Sequence, residues 1–109
     1  MALGVIIGAF GAHALGTSLS PDLRAVYQTG VLYHLLHGFG VILVGWLSLA
    51  RPHDPAIRAA GWAFILGILV FSGSLYLVSA GGLRKLGAIT PIGGLCFILG
   101  WGLLAWASR

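Results

Sequence analysis

The chain has 109 residues, of which 59% are hydrophobic and only 7% charged, with a mean hydropathy of +1.02. A soluble domain carries about 25% charged residues to cover its exterior, so this composition excludes a water-exposed protein and leaves a single integral membrane domain, residues 1–109, with no separate soluble enzyme module. The net charge of +4 rests on six Lys and Arg against two Asp and Glu. These cations stand singly or as the pair Arg84 and Lys85, a pattern that suits anionic headgroups and excludes a nucleic-acid track.

The first apolar run covers residues 2–15 and ends at Gly16, Thr17 and Ser18. At about 1.5 Å per residue it reaches roughly 21 Å, short of the ~30 Å hydrocarbon layer, so it is expected to lie in thinned lipid or to lack residues at its start. No basic segment precedes it and no soluble protein follows it, which favours a membrane span over a signal peptide. Ser20 as N-cap, Pro21 at the first helical position and Asp22 near the positive end of the dipole open a second helix over 22–50. Its first turns are interfacial and its membrane part is 30–50, closed by Arg51 and Pro52.

Asp54 and Pro55 repeat the cap-then-proline pattern before a third span at 56–80, which Gly81 and Gly82 end. After a connector holding Arg84 and Lys85, Thr90 and Pro91 repeat it once more before a last span at 91–107. The expected fold is all-α: a polytopic bundle of four transmembrane helices. Trp46, Trp62, Trp101 and Trp106 fall toward span ends, where amphipathic rings prefer the headgroup level. Arg51, Arg58 and Arg109 share the N-terminal side while Arg24, Arg84 and Lys85 lie opposite, so the positive-inside rule gives no bias of orientation.

Eighteen glycines indicate how the helices meet. Lipid offers no hydrophobic drive between helices, and small residues gather where backbones approach. Gly4, Gly8 and Ala12 recur every four residues with Gly11 beside them, and Gly93 and Gly100 share a face with Gly94 adjacent, so these are the expected packing positions. Ionisable residues at membrane depth are costly and are the candidates for function. Tyr33 and His37 share a stripe with Gly30 and Gly40, and His34 lies close to it. A facing helix could bring His13 to His34 and His37, and three imidazoles suit Zn, Cu or haem iron.

No carboxylate or thiolate accompanies these histidines, which favours interhelical hydrogen bonding over metal binding. Ser72 and Ser74 are expected to return their hydroxyls to their own helix. Cys96 has no partner in the chain and reads as a small packing residue. There is no G-x-S-x-G, H-E-x-x-H, C-x-x-C or phosphate loop, and neither acid lies within a span, so neither an enzyme nor an ion pump is expected.

GAFGAHAL (Gly8 to Leu15), the pair Tyr33 and His37, FSGSLYL (Phe71 to Leu77) and LGAITPIGG (Leu86 to Gly94), followed by Gly100 and Trp101, resemble the YgdD and YwdK family of small inner-membrane proteins. The chain is similar also to eukaryotic transmembrane protein 256. The resemblance covers nearly the whole chain and implies four transmembrane helices in a bacterial inner membrane. The family is one of unknown function, so it implies no activity and no catalytic residue. The expected function is a non-enzymatic assembly or accessory subunit, with membrane lipids and other membrane-protein subunits or a second copy as partners. No cofactor, metal or nucleic acid is expected. The alternative is binding or transport of a small ligand, metal or haem in an intramembrane pocket at His13, Tyr33, His34 and His37.

Overall fold

A computed structural model describes all residues, 1–109. Helix α1 covers Ala2–His13, α2 Pro21–Ala50 and α3 Pro55–Gly67. A π-helical turn at Ile68–Ser72 leads into α4, Gly73–Ser79, and a 3-10 turn at Arg84–Ala88 precedes α5, Thr90–Ala107. The α3, π and α4 segments form one rod of 25 residues, and with the 30 residues of α2 and the 24 of Arg84–Ala107 they make three segments long and apolar enough to cross a membrane. The 12 residues of α1 reach only about 18 Å.

Hydrocarbon offers no hydrogen-bond partner to a peptide group, which forces the backbone to satisfy itself. Accordingly 70 of the 86 backbone hydrogen bonds lie within helices. Local chemistry sets two of the starts. Ser20 Oγ accepts from Leu23 N at 3.3 Å, and Asp54 Oδ1 accepts from Ala56 N at 2.9 Å and Ile57 N at 3.4 Å.

Thr90 is a correction. It is the first residue inside α5 and caps nothing; the flanking residue is Ile89, already in helical geometry. The preceding 3-10 turn runs straight into α5, with Ile89 N–H bonded to Leu86 O at 3.1 Å and Ile92 N–H to Ile89 O at 3.0 Å. The hydroxyl of Thr90 is thereby released to meet Ser74 Oγ on α4 at 2.6 Å.

Helix contacts form at glycines. α1 runs antiparallel to α2: a Cβ at Gly4 would stand 2.9 Å from Leu35, one at Gly8 3.1 Å from Val31, and one at Gly11 would enter the Tyr27 ring. The third rod meets α2 at Gly30, where Tyr76 lies on the space a Cβ would fill. It meets α5 at Gly93, whose missing side chain admits the backbone of Phe71, and at Gly67, whose missing side chain admits the Phe97 ring. Phe64 is fully buried between Gly40 of α2 and Gly100 of α5. Around it Val44, Ile57, Ala60, Phe97 and Leu104 complete the core. Gly94 makes only ordinary contact with Phe71, and Ala12 is exposed.

Only 21 of 109 residues are buried, and Phe39, Trp46, Leu49, Trp62, Leu69 and Ile98 are all exposed. An exterior this apolar needs lipid around it. The long axis of 47 Å matches the ~40–45 Å of a bilayer with its headgroups.

Gly93→Val is expected to destabilise the protein by at least ~2 kcal/mol, because the new side chain meets backbone that cannot rotate away. Gly102→Val, where nothing lies within 4 Å of the would-be Cβ, is expected to leave it unchanged. Unfolding of both variants in detergent, followed by circular dichroism, checks the pair.

Candidate functional site

Two places in the molecule are candidates for a site. The first is a cluster of aromatic rings around His37, where α2, the third rod and α5 converge. His37 is 5% exposed. Its ring stacks on Phe97 with centroids 3.5 Å apart and planes at 9°, with Phe64 at 5.6 Å and Tyr33 at 5.8 Å. His37 Nδ1 lies 2.8 Å from the Tyr33 carbonyl, and Trp101 Nε1 donates to His37 Nε2 at 3.1 Å.

These two bonds fix the tautomer. A carbonyl only accepts and an indole N–H only donates, so the proton sits on Nδ1 and the lone pair on Nε2. The ring is neutral, and neither nitrogen is free for a metal or a proton. Trp101 thus turns its indole N–H into the protein while its ring stays 43% exposed, a tie to His37 that its place near a span end does not suggest.

His34 is the other buried imidazole, 7% exposed. It stands three residues from His37 but turns to different neighbours: its Nδ1 lies 3.0 Å from the Tyr76 hydroxyl, and its ring faces Gly4 of α1. Tyr33 is exposed, its ring against Phe71 at 4.6 Å. His13 is exposed at the end of α1, with Nδ1 2.9 Å from its own Ala9 carbonyl. The antiparallel register sets it beside the start of α2, roughly 13 Å along the axis from His34. The trio His13, His34 and His37 is therefore not assembled, and no three His, Cys, Asp or Glu side chains come together anywhere in the chain.

Ser72, Ser74 and two tyrosines tie helices together. Ser72, fully buried, donates across to the Gly30 carbonyl of α2 at 2.7 Å, where its own helix would be the local alternative. Ser74 bonds both the Phe71 carbonyl and Thr90. Tyr27 donates to the Ile7 carbonyl of α1 at 2.6 Å, reaching it because its ring lies over Gly11. Sequence reasoning passed over Tyr27, whose partner is a backbone atom of another helix; the one signal was an isolated Tyr opposite a glycine-rich run.

The second place is a groove of about 680 Å³ between α1 and α2. Gly8, Ala12, Val31 and Leu35 form its apolar trough, and Thr17, Arg24 and Gln28 stand at its mouth. Of the residues singled out for ligand binding, none lines it.

A family described as protein of unknown function (DUF423) matches residues 7–94. The chain belongs to that family. It is 45% identical to the UPF0382 membrane protein of Staphylococcus haemolyticus over 102 residues, which cover 94% of this chain and 82% of the relative. It is 41% identical to the UPF0382 membrane protein YwdK of Bacillus subtilis over 97% of this chain and 86% of the relative. No solved structure matches the chain. With its apolar helices, this makes it a multi-pass membrane protein of the YwdK-like kind.

In ¹⁵N spectra of the ring-labelled protein in lipid, His37 is expected to show protonated Nδ1 and bare Nε2; the opposite tautomer would exclude the Trp101 bond. Tyr27→Phe is expected to cost about 0.6–1.7 kcal/mol, the range of interhelical hydrogen bonds in membranes, read from unfolding in bicelles.

Proposed function

We propose that this protein is a non-enzymatic accessory or assembly subunit of the bacterial inner (cytoplasmic) membrane. The observation that carries this reading is the state of its buried polar side chains. No buried side-chain nitrogen or oxygen lacks a hydrogen-bond partner, and Tyr27, His37 and Ser72 all bond to a neighbouring helix. Groups engaged in this way hold a scaffold rigid and are poor candidates for acid–base or nucleophilic roles. Helical spans favour the cytoplasmic membrane, since bacterial outer membranes are crossed by closed β-barrels.

The partner is another membrane-protein subunit or a second copy of the chain. Gly45 of α2 and Gly102 of α5 are exposed, with nothing within 4 Å of a would-be Cβ. They are positions where an outside helix can approach backbone to backbone. The ligand-binding alternative loses support, because His13 stands apart from His34 and none of His13, Tyr33, His34 and His37 lines the groove between α1 and α2.

Extraction in mild detergent followed by native mass spectrometry is expected to show the chain with a second subunit. Gly45→Leu and Gly102→Leu are expected to keep the fold and weaken that association about tenfold or more. A monomer with no co-purifying protein in every condition would exclude the proposal.

A further inference from the structure

The groove between α1 and α2 is unlike the rest of the lipid-facing surface, because it is concave, polar at one end only, and of the size that holds an organic molecule. Its volume of about 680 Å³ lies within the ~300–1,000 Å³ of typical ligand sites. Arg24, Gln28, Val31 and Leu35 fall at i, i+4, i+7 and i+11, so they share one face of α2. That stripe rises about 16 Å, half of the ~30 Å hydrocarbon layer and therefore one leaflet deep. The opposite wall, α1, closes on Val31 at Gly8 and presents the small exposed Ala12 beyond it, where a larger side chain would fill the trough.

The charge at the mouth is unpaired. The chain's one ion pair is Arg51 with Asp54, at the far end of α2. Arg24 has no carboxylate partner, and neither acid of the chain lines the groove. One guanidinium nitrogen of Arg24 donates to the Gly16 carbonyl across the mouth, which holds the group in place and leaves further N–H donors open. Guanidinium matches phosphate through paired donors. Thr17 and Gln28 beside it are neutral, so nothing there would receive the ammonium of a zwitterionic headgroup.

We propose that this groove binds one anionic phospholipid of the surrounding bilayer, with its phosphate at Arg24 and an acyl chain along Val31 and Leu35. A free phosphate would use the mouth alone and leave the trough without a role. The site stands apart from the subunit reading above and neither depends on the other.

The test is native mass spectrometry of the full chain from maltoside, titrated with phosphatidylglycerol or with phosphatidylcholine of the same acyl chains. One phosphatidylglycerol per chain is expected, held about tenfold more tightly than phosphatidylcholine, the margin of one charge-assisted contact. Arg24→Gln removes the preference, Arg24→Lys keeps most of it, and Ala12→Phe fills the trough and expels the lipid while the circular dichroism spectrum is unchanged. If Arg24→Gln does not fold, Ala12→Phe decides alone. Equal binding of the two lipids, retention by Ala12→Phe, or displacement by millimolar glycerol phosphate would each overturn the proposal, the last by showing an anion site only.

Discussion

Backbone approach at glycine is the constraint on which the rest of this structure depends. Between helices in hydrocarbon there is no gain from excluding water, so attraction comes from dispersion and from hydrogen bonds that operate only at short range. Gly30, Gly67, Gly93 and Gly100 each leave room that a neighbouring aromatic ring or backbone takes up. Phe64 shows the result most directly, since it is fully buried only because two helices lack side chains where it enters.

Close approach also makes the polar ties possible. Tyr27 reaches the Ile7 carbonyl over Gly11, and Ser72 reaches the Gly30 carbonyl at a residue with no side chain to block it. A hydroxyl needs a partner when it is buried, and here the partner is a main-chain oxygen exposed by a glycine contact. The two kinds of interaction therefore select each other. His37 extends the principle to a side-chain pair, where stacking on Phe97 aligns the ring for Trp101.

The elements governed by neighbouring residues were legible in the sequence. Ser20 with Pro21 and Asp54 with Pro55 set the starts of α2 and α3 through contacts within three residues. Thr90 carries the same local signature, yet the turn before it already supplies the hydrogen bonds, so the signature does not decide the outcome. What depends on partners far along the chain was not legible. Ser72 and Gly30 are 42 residues apart, Trp101 and His37 are 64 apart, and the separation of His13 from His34 follows from a register that spacing does not fix. The groove belongs to this second class, because Arg24 and Ala12 become neighbours only once α1 folds back.

The π-helical turn at Ile68–Ser72, where Gly73 N–H bonds to Ile68 O, gives the third rod one residue more than an α-helix would accommodate. The surplus rotates everything after it by roughly 100°. Before the turn the rod packs on two helices at once, as Phe64 does at Gly100 of α5 and Gly40 of α2, whereas after it Tyr76 lies on Gly30 of α2 and Ser74 keeps a hydrogen bond to Thr90 of α5. A single helix thereby keeps its hold on α2 along its whole length while presenting a different side at each end, as a strap with one twist does. Shortening the rod there by one residue would unwind that twist and turn its C-terminal half, with the hydroxyls it carries, away from its current neighbour and toward the fatty tails.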